Sequence, residues 1–214
     1  MLSFLTAGYG TVATAVTWFI YLMSKHPRVQ LKLKNELLEQ NIEQISVEQL
    51  DSLTYLECVI RELFRFAPPL HSSLRTVMAD DQLPASKVQL KKGDQIFMSI
   101  YNLGRDQRYW SESIDPDQFY PERFLIEDHL TNDSRAASIP FGGGHRQCIG
   151  KDLARFELKV ICARLMQYVT FIDGGSEVNS GGYKQTDTIV PKNMGVIIIF
   201  DSLSVSQTMG HHSY

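Results

Sequence analysis

The chain has 214 residues, of which 43% are hydrophobic and 21% charged, and its formal net charge is −3. These values suit one domain with a sizeable core, or part of a larger domain, and exclude a highly charged disordered chain. The mild acidic balance gives no indication of a nucleic-acid partner. The cysteines Cys58, Cys148 and Cys162 cannot all pair, and their spacing resembles neither a disulfide framework nor a zinc site. A reducing, intracellular compartment is therefore the simpler interpretation.

The first predicted element is a long apolar helix over residues 4–24, which carries no charged side chain. Residues 4–23 are long enough to cross a membrane. The rival interpretation is a helix buried inside a large protein and apolar on every side, and we favour it because of a resemblance described below. A signal peptide is not indicated, since there is no basic leader and no small-residue cleavage site. His26-Pro27 predicts the end of this helix.

Two further helices are predicted before the pair of prolines at 68 and 69. Residues 28–40 are rich in Leu, Lys, Glu and Gln and predict a short amphipathic helix. Ser46 and Gln49 have the spacing of a capping box, which predicts another helix start. The apolar side chains that follow recur at helical spacing up to about Phe66, where two prolines stop the helix. They are Leu50, Leu53, Leu56, Val59, Ile60, Leu63, Phe64 and Ala67.

The rest of the chain alternates between short strands and one more strong helix. Val88 and Leu90 alternate with polar residues, and after a Lys-Gly-Asp turn residues 96–100 predict a second short strand. Residues 104–138 are polar and irregular, and a loop of that length is usually functional.

Residues 149–169 predict a helix and residues 196–200 a strand, whereas the tail at 202–214 has no pattern. The fold class is therefore mainly α with minor antiparallel β.

The most informative segment is residues 141–150, which read Phe-Gly-Gly-Gly-His-Arg-Gln-Cys-Ile-Gly. Three consecutive glycines let the backbone turn tightly and approach a flat ligand. Cys148 is predicted at the start of the next helix, where free N–H groups and the helix dipole would stabilise a thiolate. Arg146 can pair with an anionic group, and Gly150 leaves room against the helix. Taken singly, these residues also fit a buried core cysteine and a flexible glycine loop.

Taken together, they match Phe-x-x-Gly-x-Arg-x-Cys-x-Gly at every position, and the segment resembles the proximal-ligand loop of the cytochrome P-450 superfamily. The resemblance implies non-covalent heme b, with Cys148 as the axial thiolate and metal ligand. A thiolate ligand favours O–O cleavage at the iron. Phe141 would pack near the sulfur, Arg146 would contact a heme propionate, and Gly144 and Gly150 would lie against the cofactor.

Two other motifs support the resemblance. Glu62 and Arg65 lie three residues apart and can meet on one helix face, which alone would be an ordinary surface pair. In the family this Glu-x-x-Arg is buried and completed by an arginine from a later loop. Pro-Glu-Arg-Phe at 121–124 resembles that loop, so Arg123 is the implied third partner, and the triad would fix the loop that carries the cysteine. Arg75 stands where the family often has an arginine that binds a propionate.

Ala-Gly-Tyr-Gly-Thr at 7–11 resembles the oxygen-binding segment of the family's long central helix, which is why residues 4–24 are predicted to be buried. Gly8 and Thr11 would let the helix open locally for dioxygen and water, and Thr11 would hydrogen-bond the oxygen ligand. Gly10 stands where the family has an acid that relays protons. Either water or another side chain supplies those protons here, or the chemistry is impaired or altered.

The resemblance covers residues 4–200 and implies that residues 1–201 form the C-terminal part of a cytochrome P-450 catalytic domain, from the central helix to the C-terminal strands. The implied activity is insertion of one oxygen atom from O2 into an apolar small-molecule substrate. Electrons would come from an NADPH-dependent reductase or a ferredoxin-type donor. Residues 70–74 and 188–191 align with segments that usually line the substrate pocket, and they are largely apolar or small.

The family's whole catalytic domain is much longer, so the chain is expected to be a gene-model fragment or a truncated product. A longer parent with the usual anchor would lie at the cytosolic face of the endoplasmic reticulum. Three alternatives remain open: a heme-thiolate isomerase, dehydratase or peroxygenase, a non-catalytic fragment, and a membrane protein anchored by residues 4–23.

Overall fold

The computed structural model describes six stretches of the chain, residues 2–40, 46–110, 114–125, 136–179, 181–186 and 188–201, so the tail at 202–214 lies outside the described residues. Among the described residues, the α-helices with defined bounds are α1 (Leu2–Lys25), α2 (Pro27–Glu39), α3 (Val47–Ser52), α4 (Thr54–Phe66), α5 (Ile100–Leu103) and α6 (Lys151–Tyr168). Short 3₁₀ turns cover Pro121–Phe124 and Gly144–Arg146.

The described strands form four antiparallel pairs, β1 with β4, β2 with β3, β5 with β8, and β6 with β7. Their bounds are β1 (Ser72–Thr76), β2 (Asp81–Gln82), β3 (Gln89–Leu90), β4 (Gln95–Ser99), β5 (Val169–Asp173), β6 (Tyr183–Gln185), β7 (Ile189–Pro191) and β8 (Val196–Phe200). The predicted fold class, mainly helical with minor antiparallel sheet, is confirmed.

Helix α1 is buried along its second half and open along its first half. Trp18, Phe19, Leu22 and Met23 lie in the main core, whereas Tyr9 is 83% exposed. The prediction of a buried helix is therefore right for the C-terminal half only. By length and apolar composition, the stretch Leu5–Lys25 would also be sufficient to cross a membrane, a property that buried core helices share.

The helix predicted to run without interruption to Phe66 is divided at Leu53 into α3 and α4. The predicted capping box at Ser46 is present, with hydrogen bonds in both directions to Gln49. Helix α4 then starts afresh, because the Glu36 carboxylate of α2 accepts the N–H groups of Tyr55 at 2.6 Å and Leu56 at 2.9 Å. The first N–H groups of a helix have no partner inside it, so a carboxylate from another helix stabilises this start.

Helix α4 lies at the centre of the fold. It packs against α1, α2, α6 and the 3₁₀ turn at Pro121–Phe124. Its apolar face is almost completely buried, including Leu56, Val59, Ile60 and Leu63. Full burial of such a side chain contributes roughly 1.5–3 kcal/mol relative to leaving it exposed. The neighbouring positions on this helix are consequently held in fixed places, and they include Glu62, Phe64 and Arg65.

Candidate functional site

The cysteine loop, residues 141–150, is held by its own backbone and presents its thiol to solvent. The N–H of Cys148 donates to the Phe141 carbonyl at 2.9 Å, which closes the loop. Gly142 and Gly144 have φ of +72° and +64°, a region that L side chains rarely adopt. Cys148 is exposed and forms no disulfide. The glycines predicted to shape this loop therefore do so, and they leave the sulfur accessible.

The prediction that Cys148 stands at the helix start needs a correction of about one turn. Helix α6 begins at Lys151 and its N-cap residue is Gly150. The Cys148 carbonyl accepts the Lys151 N–H at 3.4 Å, so this residue precedes the helix proper. A Cβ at position 150 would lie 3.9 Å from the Cys148 sulfur. A side chain at position 150 would thus make an ordinary van der Waals contact with the sulfur, so Gly150 lies directly beside the thiol.

Two residues predicted from distant parts of the chain meet at this loop. The Phe141 ring packs edge-on against Phe64 of α4, with 5.0 Å between ring centroids. Arg75 of β1 lies beside Gly142, since a Cβ at position 142 would be 3.9 Å from the Arg75 Nη2. The other terminal nitrogen of Arg75, Nη1, donates to the Ser73 hydroxyl at 2.7 Å and to the Leu74 carbonyl at 2.8 Å. A guanidinium is thus held next to the cysteine loop.

The predicted triad of Glu62, Arg65 and Arg123 is assembled in the core. Arg65 donates its Nε and Nη2 to the two carboxylate oxygens of Glu62, at 2.7 Å and 2.8 Å. Arg123 donates its Nε to the same carboxylate at 3.1 Å. Glu62 is fully buried, and the two arginines are 3% and 4% exposed. The bidentate contact is the strong form of such a pair, so this cluster is a structural element and not a surface ion pair.

The triad organises the segment that leads to the 3₁₀ turn at Pro121–Phe124. Arg65 Nη1 donates to the carbonyls of Gly104 at 2.6 Å and Pro116 at 2.7 Å. Arg123 Nη2 donates to the Gln118 carbonyl at 3.0 Å. These bonds hold the backbone at Gly104, Pro116 and Gln118 directly, whereas the cysteine loop is reached through α4 and the Phe64–Phe141 ring contact. The role expected for the triad, fixing the cysteine loop, is therefore supported only by this indirect contact.

Sequence reasoning missed a second charged cluster next to the triad. The Glu122 carboxylate accepts hydrogen bonds from Arg28 at 2.7 and 3.2 Å, from Lys32 at 2.7 Å and from the Tyr55 hydroxyl at 3.1 Å. Burial opposes ionisation of Glu122, but the bonds from Arg28 and Lys32 outweigh it and lower the pKa of Glu122 to about 2. Burial, together with the Glu122 charge, raises the pKa of Tyr55. The one indication of this cluster in the sequence is the four-residue spacing of Arg28 and Lys32, which places both cations on one face of α2.

The segment predicted to bind oxygen is a regular helix in this structure. Helix α1 runs without interruption from Leu2 to Lys25, so the expected local opening at Gly8 to Thr11 is absent. The Thr11 hydroxyl donates to the Ala7 carbonyl at 2.8 Å, one turn back along the helix. A Cβ at Gly8 or at Gly10 would meet no atom within 4 Å. Among the described residues, no recorded hydrogen bond, ion pair or ring contact joins Gly8, Gly10 or Thr11 to the cysteine loop.

The surface around Cys148 fits a flat, largely apolar ligand that carries a metal and carboxylates. Arg75 and the exposed Arg146 supply the cationic groups, and Ile149 is 85% exposed beside the sulfur. In the described part of the chain, no group of three or more His, Cys, Asp or Glu could hold a metal ion. A metalloporphyrin bound at Cys148 would bring the other ligands of its iron with it.

Comparison with known proteins identifies the class. The family model described as Cytochrome P450 matches residues 1–190, so the chain belongs to the cytochrome P450 family. It is 33% identical over 184 residues to cytochrome P450 monooxygenase 205 of Postia placenta, covering 79% of this chain and 34% of that protein.

Other relatives show the same partial coverage. The chain is 35% identical over 168 residues to cytochrome P450 4V2 of Mus musculus, covering 77% of this chain and 31% of the mouse protein. It is 32% identical over 167 residues to cytochrome P450 6l1 of Blattella germanica, covering 77% and 32%. The chain therefore spans about a third of the length of the curated relatives it matches.

Proposed function

We propose that this chain is the heme-binding part of a heme-thiolate monooxygenase, with Cys148 as the protein ligand of the iron. The observation that carries the proposal is the exposed Cys148 thiol on a closed glycine loop, with the Arg75 guanidinium beside that loop. Family membership supports it, because heme is the cofactor of the family, and one relative is named a monooxygenase. Residues 1–201 would correspond to the C-terminal part of the catalytic domain.

Several residues of the cysteine loop, together with Arg75 beside it, would have distinct parts in holding the cofactor. The Cys148 thiolate would bind iron, with Gly150 lying beside the sulfur and Phe141 packing close to it. Arg146 and Arg75 would pair with the propionates, because a guanidinium binds a carboxylate through two parallel hydrogen bonds. Gly142 lies beside Arg75, and its positive φ is a backbone conformation that favours glycine, so a side chain at this position would strain the loop next to the guanidinium.

With heme bound, the chemistry supplied at Cys148 is reduction of dioxygen with insertion of one oxygen atom into an organic substrate. The overall reaction takes two electrons and two protons and releases the second oxygen atom as water. The electrons would come from an NADPH-dependent reductase or a ferredoxin-type donor. An apolar substrate suits the side chains at 70–74 and 188–191, which are largely apolar or small. The segment 188–191 is fixed to α1 by a hydrogen bond from the Thr14 hydroxyl to the Thr188 hydroxyl at 2.9 Å.

A second candidate function follows from Gly10. This position has no carboxylate, and the Thr11 hydroxyl hydrogen is directed to the Ala7 carbonyl. Without a side-chain proton relay, a heme-thiolate enzyme that takes peroxide as its oxidant needs fewer proton transfers than one that reduces O2. Gly10→Asp separates the two possibilities, because open space surrounds this glycine. A monooxygenase limited by protons would gain activity with O2 and a reductase, whereas a peroxide-dependent enzyme would not.

The test of heme binding compares the natural chain with Cys148→Ala and with Cys162→Ala, a buried cysteine that serves as the matched control. Each is expressed alone and together with the part of the Postia relative that the chain does not cover. Heme that stays with the protein through gel filtration is then quantified. We expect retention in the natural chain and in Cys162→Ala, with loss in Cys148→Ala. Equal retention in all three proteins would contradict the proposal.

A further inference from the structure

The junction between α3 and α4 is set by a residue of another helix. In one continuous helix, the N–H groups of Tyr55 and Leu56 would donate to carbonyls four residues earlier, in α3. They donate instead to the two oxygens of the Glu36 carboxylate, at 2.6 Å and 2.9 Å. Leu53 has a ψ of 83°, outside the helical region, and its carbonyl accepts the Glu57 N–H at 3.1 Å. Glu36 therefore fixes the residue at which α4 begins.

The helix that carries Glu36 is itself anchored to the sheet. On this helix, α2, the Gln30 side chain donates to the Phe171 carbonyl of β5 at 3.0 Å and accepts the Phe171 N–H at 2.8 Å. One turn further on, the Lys34 ammonium donates to the Thr170 hydroxyl at 2.6 Å. The carboxylate that starts α4 is consequently presented from a fixed position.

The first turn of α4 binds the helix that follows the cysteine loop. Glu57 comes directly after the two capped residues, and its carboxylate contacts Arg155 of α6 and lies 3.3 Å from the Lys159 ammonium nitrogen. The same nitrogen lies 3.2 Å from the Asp51 carboxylate of α3, and the Lys159 side chain is only 13% exposed. In one continuous helix, Asp51 and Glu57 would lie about 120° apart around the axis. The break between α3 and α4 therefore brings both carboxylates to a single lysine.

Helix α6 connects these contacts to the sulfur. Arg155 lies about one turn after Lys151, the first residue of α6. The Cys148 carbonyl accepts the Lys151 N–H at 3.4 Å, and the N-cap residue Gly150 lies beside the sulfur. A continuous series of contacts thus runs from Glu36 through the first turn of α4 and through α6 to the cysteine loop.

We propose that Glu36 is a positioning residue for the Cys148 thiolate, an inference that rests on the heme-binding function proposed above. By fixing the start of α4, Glu36 sets where Glu57 meets Arg155. Helix α6, held by that contact, in turn places the end of the loop that carries Cys148. Coupling between separated sites is established when a change at one link removes the effect of a change at another, so the proposal is open to direct test.

The first measurement is hydrogen exchange of the Cys148 N–H in the heme-free chain, followed by NMR, because this group closes the loop on the Phe141 carbonyl. Glu36→Ala should raise its exchange rate about fivefold, the factor that corresponds to the loss of a helix cap. Glu36→Gln should have a smaller effect, since the amide oxygen still accepts one N–H group. Ser46→Ala is the matched control, because it removes the cap of α3 and leaves that of α4, and it should not change the rate.

The route through α4 is tested by a double variant. Glu57→Gln alone should also raise the exchange rate of the Cys148 N–H. Adding Glu36→Ala to Glu57→Gln should then change the rate by less than about twofold, because the two residues act along one path. Effects that multiply in the double variant would overturn the proposal. So would a natural rate in Glu36→Ala, or an equal increase in Ser46→Ala.

A spectroscopic readout links the same variants to the cofactor. In the reduced, heme-loaded protein with carbon monoxide, Glu36→Ala should lose much of the red-shifted Soret band that a thiolate ligand gives, and Glu36→Gln should lose less. Ser46→Ala should keep the band, and its loss there to the same extent would contradict a positioning role. Because the exchange measurements need no heme, a failure of the heme proposal is distinguishable from a failure of this one.

Discussion

Replacing Glu62 by glutamine removes the negative charge at the centre of the buried triad. The carboxylate accepts two hydrogen bonds from Arg65, one from Arg123 and one from the Tyr120 N–H at 2.7 Å. A glutamine amide would present its own N–H donors to these donors and would leave two buried guanidinium groups without a counter-charge. Removing one partner of a buried ion pair costs about 3–5 kcal/mol. Since whole domains are stable by only about 5–15 kcal/mol, this is a large fraction of the free energy of unfolding.

The assay is urea unfolding of the purified chain followed by far-ultraviolet circular dichroism. With a slope of roughly 2 kcal/mol per molar urea, the midpoint should fall by about 2 M in Glu62→Gln. Asp51→Asn is the control, because Asp51 is 71% exposed and its 3.2 Å contact with Lys159 is a surface ion pair. That variant should lose less than about 1 kcal/mol. A loss in Glu62→Gln no larger than in Asp51→Asn would refute the reasoning.

Three further predictions use the same heme-free chain. Iodoacetamide should label Cys148 first, and it should label the buried Cys58 and Cys162 only when the chain unfolds. Equal labelling rates of the three cysteines, measured by mass spectrometry, would contradict the burial of Cys58 and Cys162. Glu122, whose folded pKa is lowered to about 2, contributes stability above the ordinary carboxyl pKa and loses it as the pH falls towards 2. Urea titrations at pH 6 and pH 3 should therefore show that Glu122→Gln has lost about 2 kcal/mol of the stability that depends on pH. This loss is smaller than the full pKa shift implies, because the cationic partners of Glu122 are about half exposed. An unchanged pH dependence in the variant would contradict this. Gly104→Ala should destabilise the chain by about 2 kcal/mol, because the new Cβ would lie 2.5 Å from the Arg65 carbonyl oxygen. Gly8→Ala should instead stabilise α1 by about 0.5–1 kcal/mol. A higher thermal midpoint for Gly104→Ala than for Gly8→Ala would be inconsistent with this packing.

The long elements could be predicted from the sequence because their signals are local. The capping box at Ser46, the proline after α1 and the apolar spacing of α4 each depend on residues within one or two turns. The division at Leu53 could not be predicted in this way, because the carboxylate that caps α4 belongs to Glu36, seventeen residues earlier in the chain and on another helix. Strands as short as β2 and β6 have too few residues to show an alternating pattern.

The candidate site shows the same division between local and distant information. The motif that contains Cys148 indicated its glycine-shaped loop, and the resemblance to a known family linked it to Arg75 and Arg123. The Glu122 cluster was missed because its three partners come from α2 and α4, and nothing in local spacing pairs them with residue 122. Gly104 is explained only by the close approach of the Arg65 backbone, a contact between residues 39 positions apart.

The central claim, that Cys148 is the thiolate ligand of a heme iron, is tested most directly by the carbon monoxide spectrum of the reduced, heme-loaded protein. A strongly red-shifted Soret band in the natural chain and in Cys162→Ala, absent in Cys148→Ala, is the predicted result. A heme complex that shows no such band in the natural chain, or that keeps it in Cys148→Ala, would contradict the assignment of Cys148 as the ligand.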